Sequence, residues 1–416
     1  MTADRDALSR RLGLGDSVVI GLGSMIGAGI FAALAPAATA AGSWLLLALG
    51  IAALLAYCNA ISSARLAALY PVSGGTYVYG RERLGPFWGY LAGWGFIAGK
   101  TASCAAMALT IGGYAWPEHA RAVAVAAVLA ITALDYTGVR KSALATRVIV
   151  AAVLVVLAVV VGVGLLGNHS AATVLPGRTG PLGVLEAAGL LFFAFAGYAR
   201  IATLGEEVRD PRRTIPRAIV IALGLALAVY ALVAVAALTA LGSAGLAHGA
   251  DPLARVVSAA GAPELTPLIR VGAVLAAAGS LLALLLGVSR IVLAMARDRW
   301  LPRGLAAVHP RFGVPHRAGL AVGAVVAALA ASFDLRAAIG FSSFTVLAYY
   351  LIANVAAATL RASEGRPPRW VPVVGAAGCL IVGFCLPPHS VLAGLAVLAL
   401  GAAWFRFRHK HAGTTG

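Results

Sequence analysis

Apolar runs of about 20 residues recur along the whole chain, which is the length a helix needs to cross the hydrocarbon core of a bilayer. Lipid offers no hydrogen-bond partners to backbone N–H and C=O groups, so each run must satisfy its own backbone as a helix. Of the 416 residues, 61% are hydrophobic and only 11% are charged. A soluble domain carries roughly 25% charged residues. The expected fold class is therefore an all-α polytopic membrane protein.

Twelve spans are read, near 17–41, 44–68, 87–112, 122–138, 146–167, 183–205, 216–241, 268–295, 317–333, 337–360, 371–386 and 390–405. Charge tests their parity. With Arg5, Arg10 and Arg11 in the cytoplasm, every even-numbered connection should be basic. Arg65, Arg81 and Arg83 fall at the second, and Arg140, Lys141 and Arg147 at the fourth. Arg209, Arg212, Arg213 and Arg217 follow the sixth span, and Arg297, Arg299, Arg303, Arg311 and Arg317 the eighth. Arg361, Arg366 and Arg369 come after the tenth, and Arg406, Arg408 and Lys410 close the chain. The opposite loops carry only Arg121, Arg178, Arg255, Arg270 and Arg336. The pattern predicts a multi-pass protein of the plasma (inner) membrane with both termini cytoplasmic. It also explains the net charge of +17 without nucleic acid as a partner. Cys58, Cys104, Cys379 and Cys385 lie in apolar stretches without metal-ligand spacing and read as small packing residues. Asn168-His169-Ser170 matches a glycosylation triplet of the kind that arises by chance, and the charged N-terminus leads into the first span without a cleavable signal.

The first span contains an anomaly, "GLGSMIGAGIFAAL" from Gly21 to Leu34. Gly23, Gly27 and Gly29 each destabilise a helix by about 1 kcal/mol relative to alanine. A dinucleotide cradle would need a preceding strand and an acidic residue about 20 positions on. The next acid after Gly27 is Glu82, so that reading fails. The alternative is a helix built to break. The sixth span supports it with "LLFFAFAGYARIATL", where Gly197 and aromatic residues fall at a comparable depth. Interrupted helices at matching positions of two halves point to a transporter's central site.

Four blocks carry a family resemblance: "GSMIGAGIF", "YPVSGGTYVYGRERLGPFWGYLAGW" (Tyr70 to Trp94), "GEEVRDPRRTIPRAI" (Gly205 to Ile219) and "SRIVLAMARDRWLPRGLAAVHPRFGVP" (Ser289 to Pro315). In this order they resemble the amino acid–polyamine–organocation (APC) permeases. The resemblance implies about twelve transmembrane helices in a LeuT-like, five-plus-five inverted repeat with helices 1 and 6 broken. The implied organisation is a cytoplasmic segment 1–16, a transport core 17–360, two additional helices 361–405 and a cytoplasmic tail 406–416.

It further implies a substrate carboxylate on the free amides of Gly27, Ala28 and Gly29, and a substrate ammonium on carbonyls near Met25 and Ala196. Ser24, Ile26 and Gly197 belong to the same unwound segments. Phe193 and Phe195 would close over the substrate. The plainer alternatives are glycines that permit close helix packing and ordinary core or lipid-facing phenylalanines.

Lys100 stands near the middle of the third span, about 15 Å from either interface and beyond the reach of a lysine stem. It must face protein or water, and an ionisable group there is a functional candidate. It either binds and releases a coupling proton or remains a structural cation. APC relatives that carry a lysine in the fifth span use it in place of sodium, whereas Val148 to Leu166 holds no ionisable residue here. Sodium-using relatives recruit hydroxyls from the eighth span, where Ser280 and Ser289 are available. Arg200, after the second break, is a gating candidate or a snorkelling arginine. Glu206, Glu207 and Asp210 read as helix-end or loop charges, and Glu186 as interfacial.

The expected function is a secondary active transporter of amino acids, neutral ones favoured, working by alternating access with a proton or sodium ion. An exchanger or amine permease is the alternative. A channel would show pore-lining rings instead of two broken helices. An intramembrane enzyme would need paired acids, a histidine cluster or an activated nucleophile at depth. His119, His169, His248, His309, His316, His389, His409 and His411 all fall outside the spans. No metal or cofactor is expected.

Overall fold

The computed structural model describes residues 12–70, 74–138, 143–167, 180–202 and 208–412. Among them the regular elements are helices, apart from one isolated bridge between Leu12 and Val208. The helices are α1 (Leu14–Met25), α2 (Ala28–Ala41), α3 (Leu45–Leu69), α4 (Thr76–Leu84), α5 (Pro86–Ala115), α6 (Ala120–Tyr136), α7 (Ala143–Leu166) and α8 (Pro181–Phe195). They continue as α9 (Ala199–Ala202), α10 (Pro211–Ala247), α11 (Pro252–Ala259), α12 (Thr266–Arg297), α13 (His316–Ser332), α14 (Leu335–Ala358), α15 (Trp370–Phe384) and α16 (Pro388–Ala412).

Nine segments are long and apolar enough to cross a membrane, among the described residues. The shorter apolar helices α1, α13 and α15 account for the remaining stretches. Each of the twelve expected spans overlaps one helix or an interrupted pair, with 203–205 of the sixth outside the described residues. Arg5, Arg10, Arg11, Arg140, Lys141, Asn168, His169, Ser170, Arg178, Glu206 and Glu207 lie outside the described residues.

Helix ends follow local chemistry. α5, α8, α10 and α11 open with proline in the first turn, where a missing N–H costs nothing. Gly85, at φ 103°, separates α4 from α5 with a backbone that a side chain would strain. Three features differ from the sequence reading. α10 continues to Ala247, but Gly242 (φ 65°, ψ 175°) turns the chain where a straight helix was expected to stop. The loop after it folds as α11, burying Leu253, Val256 and Val257. α16 extends past the expected end of the twelfth span to Ala412.

Packing relies on small residues, as in membrane bundles where tails and side chains are equally apolar. α5 packs against α12 and α14, and α2 against α8. Gly272 faces Val156 and Gly323 faces Thr132 closely enough that a β-carbon would displace either neighbour. Cys58, Cys104 and Cys379 are buried and free, as expected of packing residues. Exposed Leu47, Leu54, Leu129, Val148, Leu232 and Leu392 present an apolar outer surface.

Candidate functional site

The first break is a backbone event. α1 ends at Met25, Ile26 leaves helical geometry (φ −75°, ψ 15°), and Gly27 (φ −69°, ψ −135°) starts α2. The second is softer: α8 ends at Phe195, a 3-10 turn covers Ala196–Tyr198, and α9 follows.

The two breaks touch. A β-carbon on Gly29 would stand 2.6 Å from Ala194 Cα, and one on Gly197 would overlap Ser24 O and lie 2.7 Å from Met25 N. Tyr230 of α10 joins them with its hydroxyl, 2.5 Å from Met25 O and 3.0 Å from Ala194 O. Its single proton is shared between the two carbonyls that the breaks leave short of helical partners. Phe195 stacks edge-on against the Tyr230 ring at 5.1 Å.

From the opposite side, Lys100 of α5 extends its ammonium to Ala196 O at 3.5 Å. It is only 5% exposed and lies 5.8 Å over the Phe96 ring. Among the described residues no carboxylate stands within ion-pair distance of it. On α12, Ser280 abuts the first break, where a β-carbon on Gly27 would overlap its hydroxyl. The arrangement therefore brings two interrupted helices, one buried cation and one serine hydroxyl to a common point.

The sequence pattern that defines amino acid permeases matches residues 12–404. The chain belongs to the amino acid permease family. This permease is 67% identical to an uncharacterized transporter of Mycobacterium tuberculosis, over 97% of its own length and 92% of the relative's. It is 28% identical to the branched-chain amino acid permease BcaP of Bacillus subtilis, covering 95% of this chain and 88% of the relative. Human cationic amino acid transporter 4 is 30% identical, over 87% of this chain and 61% of the relative. The APC resemblance is thus family membership. Family and relatives support amino-acid transport across a membrane, and indicate a transporter rather than an enzyme.

Among the expected site residues of the permease, Ser24, Met25, Gly27, Gly29, Ala196, Gly197, Lys100 and Ser280 converge at the breaks. Ser24 donates back to Ile20 O at 2.9 Å, while Ile26 and Ala28 are buried. Phe193 is buried on α8, and Phe195 packs against Tyr230. Ser289 lies nine residues beyond Ser280, about 13 Å along α12, and donates to Leu286 O at 3.1 Å. Arg200 is exposed on α9, and Glu186 pairs with Arg336. Among the described residues no three His, Cys, Asp or Glu side chains are grouped to hold a metal ion.

Sequence reasoning missed Tyr230. The available signal was a lone phenol inside the aliphatic run "ALAVYALVAV", because a hydroxyl at that depth needs a partner.

Proposed function

We propose that this permease is a secondary active transporter of amino acids, neutral ones favoured, working by alternating access and coupled to protons in the plasma membrane. The observation that carries this reading is the contact of the two breaks through Gly29, Gly197 and Tyr230. Interrupted helices supply unpaired backbone groups, which bind charged ends of a substrate and also act as hinges. On this reading Gly27, Ala28 and Gly29 offer amides to the carboxylate, while the carbonyls of Met25 and Ala196, held in this structure by Tyr230 Oη and Lys100 Nζ, offer their second lone pairs to the ammonium. Phe193 closes over the substrate, and Arg200 lines the inward side. The core is 17–360, a five-plus-five inverted repeat whose first and sixth members are the broken ones. The segment 361–405 adds two helices, and 1–16 and 406–416 are cytoplasmic.

Charge supports neutral substrates. Lys100 occupies Ala196 O without a carboxylate partner among the described residues, so a cationic side chain would add like charge in a low-dielectric site. The branched-chain permease of Bacillus subtilis fits this preference, and the cationic transporter of Homo sapiens opposes it. The deciding experiment is uptake and counterflow in proteoliposomes across the twenty amino acids and putrescine. The expected outcome is saturable transport, with neutral amino acids competing best. High-affinity arginine or putrescine uptake overturns the selectivity, and flux that does not saturate overturns the carrier.

A further inference from the structure

Lys100 is the one cation buried among the described residues. Its ammonium reaches Ala196 O at 3.5 Å and lies over the Phe96 ring, so it is aimed at the second break. A buried charge is costly unless something balances it. Two described carboxylates are buried, and both are placed elsewhere. Asp251 pairs with Arg270 at 2.7 Å, and Asp135 lies in a cleft with Thr132 and His316 where α6 meets α13. Either the balancing negative charge arrives with what enters the site, or the lysine gives up its proton.

The position of that ammonium adds a second constraint, which rests on the reading of the site given above. There Ala196 O accepts the substrate ammonium, and Lys100 already holds it. An amino acid brings a second ammonium to the same carbonyl, and two like charges on one oxygen repel strongly in a low-dielectric site. A zwitterion is therefore admitted when Lys100 releases its proton. A carboxylate that lacks the amino group meets no such conflict. Its negative charge sits on the amides of Gly27, Ala28 and Gly29, and Lys100 stands in for the ammonium it lacks. The two loaded states carry equal charge: zwitterion with neutral lysine, or anion with lysine cation.

We propose that the central site carries a second substrate class, the α-keto acids, with Lys100 supplying the ammonium that an amino acid would bring. In these monocarboxylates a carbonyl replaces the amino group. A keto oxygen only accepts hydrogen bonds, and a lysine ammonium has three donors, so Lys100 serves Ala196 O and the keto oxygen together. An amine without a carboxylate reverses each of these matches. It adds a cation beside Lys100 and leaves the amides of the first break unfilled.

The test uses full-length permease in proteoliposomes preloaded with pyruvate, ketoleucine or phenylpyruvate, with labelled alanine, leucine or phenylalanine outside. The keto acid that matches the amino acid carried fastest should drive counterflow from inside and compete from outside. Isoamylamine, the leucine skeleton without its carboxylate, should do neither. Lys100→Ala removes the substitute ammonium and should weaken keto-acid competition, relative to the amino acid, by about tenfold or more, the worth of one hydrogen bond to a charged group. Lys100→Arg keeps a charge that is not readily lost and should move the same ratio towards the keto acid. Amino-acid exchange without keto-acid counterflow overturns this inference and leaves the amino-acid reading intact. A ratio unmoved in both variants, or isoamylamine competing better than ketoleucine, overturns it as well. Absence of saturable amino-acid flux in the wild type defeats the reading of the site and this inference with it. Should the variants fail to fold, wild-type counterflow decides alone.

Discussion

Gly29 and Ala194 meet at the backbone, with no space for a β-carbon between them. Gly27, two residues earlier, meets chiefly the Ser280 hydroxyl, which can rotate away, with Ser280 Cβ at 3.0 Å and Ala276 O at an ordinary 3.7 Å. The two glycines of one motif therefore have separable duties. Gly29 sets how closely α2 approaches α8, whereas Gly27 belongs to the unwound segment itself.

Substitution should separate those duties. Gly29→Val pushes against main chain and should prevent stable folding, since overpacking costs about 1–3 kcal/mol even for smaller insertions. Gly27→Val should leave a monodisperse protein in detergent but abolish uptake, because a β-branched side chain crowds the free amides and stiffens the hinge. Size-exclusion profiles and liposome uptake of both variants check this. Unchanged uptake by Gly27→Val would remove the stretch from the site.

Tyr230→Phe keeps the ring and its edge-on contact with Phe195 but deletes the proton shared by Met25 O and Ala194 O. Two buried carbonyls lose a partner, so stability should fall by about 1–3 kcal/mol. Uptake should fall as well, since the hydroxyl hydrogen-bonds α10 to both breaks. An unfolding midpoint and uptake rate equal to wild type would show that the tie is dispensable.

How far these features are legible in sequence depends on the range of their causes. The first break is readable because Gly27 and Gly29 interrupt an apolar run locally. The turn at Gly242 is not, because the residues around it are as apolar as a continuing helix. α4 hides in a polar stretch, yet Tyr77 is held by Asp298 at 2.5 Å, a partner 221 residues away. Lys100 stands out by depth alone, but its acceptor Ala196 lies 96 residues on. Tyr230 needs partners 205 and 36 residues distant, which no local pattern displays.

A pH dependence should arise outside the spans. Arg83 of α4 holds both carboxylate oxygens of Glu364 at 3.0 Å and also donates to Thr359 O at 2.6 Å. The hydrogen bond from Arg83, followed by the Arg361 N–H, holds the Glu364 carboxyl below its ordinary range. A depressed folded value means the contribution is present above the unfolded pKa, about 4.3, and is lost as pH falls through the folded value. Glu364→Gln should therefore lower the unfolding midpoint at pH 7, and the gap from wild type should close at acid pH. A gap that persists at pH 3 would assign the effect to something other than this charge.

The last expectation concerns Lys100. Its ammonium is buried against Ala196 O beside the second break, with a ring below it and no carboxylate partner among the described residues. A group so placed senses both the substrate and the conformation of the break, which is what a coupling proton requires. A purely structural cation would serve equally well as arginine, which cannot readily release its proton. Lys100→Arg and Lys100→Ala therefore distinguish the two roles. Under an imposed pH gradient with sodium absent, wild type should concentrate substrate. Both variants should lose that accumulation while still exchanging labelled for unlabelled substrate across the membrane. Accumulation restored by Lys100→Arg would make the residue a structural cation. A wild type that answers to a sodium gradient alone would exclude the proton role and direct attention to Ser280, whose hydroxyl abuts Gly27 at the first break.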